Sequence, residues 1–234
     1  MKVLLVVLTM LNIAFAQNNH GICELDTLDT KSAKECIQRV LEKEPKNIRC
    51  IVKLANLYLR QGKVEKGFSL IGRAYKINPE AVKTSPVASI LPFALKINAL
   101  KKEAKKNNDF SAWNEIGNDF YEMGIYTDAI LAYKKSLAIN PNQEEINVKV
   151  ALSYKKTGHV YDALSQLKKV LKINTNNFYA NYFAGKILRY SLNDSINSKK
   201  YFSKARRILE GNKKAVSSKE YPNFLNDIIY ELSI

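Results

Sequence analysis

The sequence predicts an all-α protein in which antiparallel helix pairs stack as an α-solenoid, and three observations carry that prediction. Ile116, Val150 and Ala184 stand 34 residues apart, as do Gly117, Ala151 and Gly185, which is the period of repeated helical hairpins. Ile116 to Phe120 and Ala129 to Tyr133 are four-residue steps, so each of two successive helices carries one apolar stripe. Gly124 lies between those helices, where a turn needs positive φ, and Pro141 follows the second and stops it.

Residues 1–16 differ from everything that follows. Lys2 precedes an apolar run at 3–10, and Ala14-Phe15-Ala16 forms a small-x-small processing site. This predicts a secretory signal peptide cleaved after Ala16 and an exported protein, periplasmic or extracellular. The apolar segment is shorter than the roughly 20 residues that span a bilayer; retention as an anchor is the alternative. Residues 17–30 form an N-terminal leader. Ala33, Ile37, Val40 and Pro45 then repeat the pattern of a second helix without its first. A half-repeat over 31–44, capped by Asp29 or by a Ser32-x-x-Glu35 box, would cover the open end of the array. Leu54, Ala55, Tyr58, Gly62, Gly67, Ile71 and Ala74 make a full repeat at 48–81, so 31–81 is the first structural block.

The register fails over 82–109, where 28 residues stand in place of 34. That stretch reads as one helix from Ser85-Pro86 to about Lys106, bent at Pro92, and serves as a degenerate repeat or a spacer. Repeats 2 to 4 occupy 110–211. The third carries Val150, Ala151, Tyr154, Gly158 and Ala163. The fourth needs a one-residue insertion to align Ser198, Phe202 and Ala205, and has Asn193 where a turn glycine belongs. Residues 212–234 supply a capping helix with Phe224, Leu225, Ile228, Ile229 and Leu232 on one face.

The order of large, small and aromatic residues in Trp113, Ile116, Gly117, Phe120, Ala129, Tyr133 and Pro141 resembles the tetratricopeptide repeat (TPR). The resemblance implies a TPR-like α-solenoid that holds a protein or peptide partner in a concave groove lined by the first helix of each repeat. It maps the groove onto Asn56 and Arg60 in the first full repeat, Asn114, Asn118 and Tyr121 in the second, and Lys155 and Lys156 in the third. In the fourth it maps onto Tyr179, Tyr182, Lys186, Arg189 and Tyr190. Asparagine carboxamides both donate to and accept from a ligand backbone. The basic, aromatic end suits an acidic segment with apolar anchors. The two-carboxylate clamp of some family members is incomplete here, because Val52 stands where the clamp has lysine and Glu115 where it has asparagine. A solvated helix face is the alternative reading at each of these positions.

The chain is strongly basic, with a formal charge of +15, and signal cleavage removes only Lys2 from that balance. In an exported protein such charge points to anionic envelope polymers, lipid headgroups and acidic protein surfaces, so no nucleic-acid partner is expected. The function predicted is a non-enzymatic scaffold or assembly factor of the cell envelope; the alternative is a module that binds an anionic envelope polymer through the basic patch of repeats 3 and 4. Cys23, Cys36 and Cys50 all lie near the N-terminus. In an oxidising compartment one pair forms a disulfide, Cys23–Cys36 by preference or Cys36–Cys50. His20 and His159 are too far apart in such an array to share a site. There is no G-x-S-x-G, no phosphate-cradling loop and no H-E-x-x-H, so neither catalysis nor a cofactor or metal is expected.

Overall fold

A computed structural model describes residues 30–234, and all regular structure among them is helical. The expected signal peptide at 1–16, residues 17–29 of the expected leader, and with them Cys23 and Asp29, lie outside the described residues. The helices are α1 (Thr30–Lys43), α2 (Ile48–Arg60), α3 (Val64–Ile77), α4 (Pro79–Lys83), α5 (Leu91–Asn107), α6 (Phe110–Glu122), α7 (Tyr126–Ile139), α8 (Glu144–Lys156), α9 (Val160–Ile173), α10 (Phe178–Ser191), α11 (Ser195–Gly211) and α12 (Tyr221–Ser233). None of the described helices is long and apolar enough to cross a membrane.

Local chemistry sets the helix ends. Asn47, Asp109, Asn177 and Asp194 each accept a backbone N–H of the first turn that follows, at 2.8–3.1 Å, satisfying donors that have no partner inside the helix. Gly62, Gly124 and Gly158 close three successive first helices with φ of 71°, 75° and 82°. After α10 the same left-handed place is filled by Asn193, φ 58°, the residue best able to replace glycine there.

Contacts divide the chain into two units, one ending at Asp128 and one starting at Ala129. In unit 1, α2 packs on α1 and α3, and α5 lies against α3 and α6. Ile37, Cys50 and Leu54 form the α1–α2 core, so α1 covers the first full repeat as a lone helix. It starts at Thr30, which puts Ser32 within its first turn instead of at its cap.

The 82–109 segment departs from expectation. Pro79 opens a separate short helix capped by Asn78, a 3₁₀ turn covers Ala88–Ile90, and Pro92 stands in the first turn of α5. A proline there loses no hydrogen bond, because the first turn's N–H groups have no acceptor in any case; it starts the helix instead of bending it. Helix α5 is a packing element, with Leu91, Ala94, Ile97 and Ala104 buried. Its Asn98 donates to the Phe68 carbonyl at 2.7 Å and fills the space beside Gly72, where a Cβ would fall 2.4 Å from the amide nitrogen.

In unit 2, α8 packs on α9, α9 on α10, α10 on α11 and α11 on α12, and α8 also touches α10. First helices α8 and α10 therefore share one layer and second helices α9 and α11 another. Ala151, Ala163, Leu167, Ala184 and Ile187 fill the core between the earlier pairs, and Phe178, Phe202, Leu209 and Ile228 fill the one under α12. Four of the five apolar residues expected on the inner face of α12 are fully or partly buried there, whereas Ile229 is 45 % exposed. The inward place is taken by Glu231, which is fully buried.

Candidate partner-binding surface

Within unit 1 the groove positions fall on α2 and α6. Helix α2 turns Cys50, Ile51, Leu54 and Ala55 into the core, which leaves Asn56 half-buried and Arg60 exposed at its end. The Asn56 Oδ1 is buried and accepts no hydrogen bond. On α6, Asn114, Asn118 and Tyr121 are half-buried beside the core residues Trp113, Ile116 and Phe120. The Tyr121 ring meets Tyr126 edge-on at 5.3 Å, and burial, then Tyr126, pushes its hydroxyl pKa up. Glu115 and Asp119 of the same helix are engaged by Lys96 of α5, at 3.0 and 2.8 Å.

Unit 2 carries a denser arrangement. Lys186 of α10 donates to Asp227 Oδ1 at 2.8 Å and to Glu231 Oε1 at 2.7 Å. The Tyr182 hydroxyl donates to Asp227 Oδ2 at 2.7 Å and that of Tyr190 to Glu231 Oε1 at 2.5 Å. Arg189 holds the Glu231 backbone carbonyl through Nη2, and its Nε lies 3.5 Å from Glu231 Oε2. Asp227 and Glu231 are one helical turn apart, so α12 presents both carboxylates along one line to the cations of α10. Burial alone would lower the Lys186 pKa, yet the hydrogen bonds to Asp227 and Glu231 raise it above the usual lysine range. Burial first, then the bond to Asp227, drives the Tyr182 pKa far up.

Tyr182, Lys186, Arg189 and Tyr190, four of the five groove positions of the fourth repeat, are thus engaged by the chain's own last helix. Phe224 of α12 packs edge-on against Tyr182 at 4.9 Å and Phe178 at 5.1 Å, and Tyr179 completes the cluster at 5.8 Å from Phe224. The sequence showed the cations but not Asp227 and Glu231 as their partners. The one signal was a carboxylate at 231, three residues after Ile228 on the apolar side of α12.

Lys155 and Lys156 have no such partner. Lys155 is half-buried at the end of α8, and its pKa is lowered by burial first and then by the neighbouring charges of Lys156 and Lys186. Among the described residues no carboxylate pairs with either of them. Elsewhere, Asp128 of unit 1 is 8 % exposed. Burial, then the charge of Glu65, raises its pKa to about 6, against a bond from the Glu65 backbone N–H and the charge of Lys101; Lys101 itself is ion-paired with Glu65.

Cys36 is disulfide-bonded, and Cys50 is a free, buried thiol, so the alternative Cys36–Cys50 bridge is not formed. Burial raises the Cys50 pKa, as befits a core side chain. Among the described residues no group of three or more His, Cys, Asp or Glu is placed to hold a metal ion.

A profile described as a TPR repeat matches residues 117–158. A TPR repeat-containing protein of Methanocaldococcus jannaschii is 23% identical over 160 residues, 62% of this chain and 28% of that protein. The chain therefore spans little more than a quarter of that curated relative. Among solved structures, the TPR2AB domain of yeast Sti1 in a pHSP90 complex is 14% identical, with 90% of this chain and 82% of that one covered at a TM-score of 0.47. YrrB, described as a TPR protein with an unusual peptide-binding site, is 16% identical, with 80% and 100% covered at a TM-score of 0.45. MamA is 18% identical, with 80% and 92% covered at a TM-score of 0.44. The stacked helical hairpins, with small and aromatic residues in their cores, thus include a stretch, residues 117–158, that matches a TPR repeat, and the chain is similar along 160 residues to a protein that contains such repeats.

Proposed function

We propose that this protein is an exported, non-enzymatic scaffold or assembly factor of the cell envelope that holds an acidic partner segment against the first-helix layer of its repeats. Tetratricopeptide arrays are protein-interaction modules, and the reading is supported here most directly by Lys155. Burial, then the charges of Lys156 and Lys186, disfavours the charged form of the half-buried Lys155, and a carboxylate from a bound segment would favour it. Tyr179, at the edge of the aromatic cluster, offers an apolar anchor on the same layer. Export rests on the charged, apolar and small-residue order of residues 1–16.

The test is crosslinking and affinity capture from the native cells. Lys155→Glu/Lys156→Glu is expected to lose the partner that wild type and a Lys105→Glu/Lys106→Glu control retain. Lys186 and Arg189 are left unaltered because they hold α12. Equal capture by all three proteins would reject Lys155 and Lys156 as the contact, and an unprocessed chain in the cytosolic fraction would reject export.

A further inference from the structure

The basic excess of unit 2 is not spread evenly over its helices. First helices α8 and α10 and the cap α12 together hold five lysines and arginines against four carboxylates. Second helices α9 and α11, with the 3₁₀ turn Lys213–Ala215, hold ten against two. Of those two acids, Glu210 is paired with Arg206, and Asp162 sits in the first turn of α9, where a carboxylate suits the helix dipole.

The excess is also in register. Lys169 and Lys204 are each the tenth residue of their helix, and Lys172 and Arg207 each the thirteenth, so successive second helices carry cations at matching positions. Among the described residues none of these four is paired with a carboxylate. The three most exposed large apolar side chains among the described residues lie on the same two helices: Tyr161 at 77 %, Ile196 at 76 % and Ile173 at 71 %. Tyr161 and Ile196 again match, each the second residue of its helix.

We propose that the second-helix layer of unit 2 docks on an anionic lipid bilayer. A soluble polyanion would use the cations alone and would leave three solvated apolar side chains without a role. A headgroup surface uses both, since lysine and arginine meet the phosphates while isolated tyrosine and isoleucine enter the interface. The surface belongs to the layer that does not contain Lys155 and Lys156, so membrane attachment and partner capture use different side chains. It does not depend on the proposed partner.

The test is co-sedimentation of the full chain with vesicles of phosphatidylcholine alone or mixed with an equal part of phosphatidylglycerol, with inorganic polyphosphate as the soluble competitor arm. Wild type is expected to pellet only with the mixed vesicles and to be released as salt shortens the screening length from about 8 Å to about 3 Å. Each cation near an anionic surface contributes about a fivefold gain in partitioning, so Lys169→Gln/Lys172→Gln/Lys204→Gln/Arg207→Gln is expected to lower it about 600-fold. Tyr161→Ser/Ile196→Ser is expected to lower it about tenfold. These side chains contribute little to the core, and unchanged circular dichroism and melting confirm that each variant is folded. Vesicle binding that survives the fourfold change would overturn the proposal. So would tight polyphosphate binding without vesicle binding, or vesicle binding indifferent to Tyr161 and Ile196.

Discussion

The two layers of unit 2 use charged side chains in opposite ways. In the layer of α8, α10 and α12, Lys186 and Arg189 converge on Asp227 and on Glu231, which is fully buried. In the layer of α9 and α11, Lys169, Lys172 and Arg207 stand in solvent with no carboxylate beside them. The difference lies in what each layer has to cover. The end of α10 has a neighbour, α12, whose charges are enclosed together with the apolar contacts of Phe224 and Ile228 and must therefore be matched. The outer layer has no further helix of this unit over it, so its charges meet water and cost little to leave unpaired.

The sharpest way to break the contrast is Glu231→Ala, which leaves Arg189 and Lys186 partly enclosed without their shared carboxylate. Removing one partner of a buried ion pair destabilises by about 3–5 kcal/mol, and the retention of Asp227 puts the expectation at about 3 kcal/mol. Urea denaturation followed by tyrosine fluorescence measures it. If the penalty comes from the orphaned cations, the compensated variant Glu231→Met/Lys186→Met/Arg189→Met recovers most of the loss, because well-packed apolar groups commonly replace a buried ion pair at little cost. A compensated variant as weak as Glu231→Ala would mean that the pair contributes net stability.

Unit 1 offers a buried carboxylate of the other kind. Asp128 has no cation of its own, since Lys101 is ion-paired with Glu65. Its pKa in the folded protein, about 6, lies above the ordinary 3.8, so the folded chain binds the proton more tightly than the unfolded chain. The resulting stability is complete below pH 3.8 and is lost as pH rises through 6, which amounts to about 3 kcal/mol. Asp128→Asn removes that dependence. Relative to wild type, the variant is expected to gain about 3 kcal/mol between about pH 4 and about pH 7.5, read from denaturation midpoints. A difference that does not change with pH would place the titration elsewhere.

The fold was legible because its determinants are local. The small residues Gly117, Ala151 and Gly185, and Ala129 and Ala163, recur at a 34-residue offset, and Gly124 and Asn193 occupy the left-handed turns that their types suit. Pro92 was misread because a proline after an apolar run is compatible with either a bend or a start. The choice depends on Ala88–Ile90 turning as 3₁₀ immediately before it. The site was legible only by halves. Lys186 and Arg189 read as a basic groove, but their partners lie 41 to 45 residues further on, and no periodicity connects charges at that distance. The basic excess was visible in composition, whereas its concentration on α9 and α11 follows from assigning each lysine to a layer.

The seam between the layers gives a smaller effect. Gly185 of α10 faces the ring of Phe202 of α11, and a Cβ there would fall 2.9 Å from its nearest atom. Gly185→Ala is expected to cost about 1–3 kcal/mol as an overpacking change. The helix propensity gained, up to about 1 kcal/mol, offsets part of that. Gly211→Ala, which meets nothing within 4 Å, separates the two effects in the same denaturation experiment: the position lies at the end of α11, so any change there reports helix propensity and fraying without packing. A destabilisation shared by both would remove Phe202 as the cause.

The smallest stability change is expected where the outer layer is most basic. Lys169→Gln/Lys204→Gln removes two charges that no carboxylate balances, and surface substitutions of this kind stay within about 0.5 kcal/mol. The sign is informative even though the size is not. Cations in adjacent repeats repel one another, so relieving them raises the melting temperature slightly at low ionic strength, and added salt cancels the gain by screening. A loss instead of a gain would mean that these lysines do structural work through their aliphatic stems, and the layer would then be part of the fold's support instead of a surface left open for a partner.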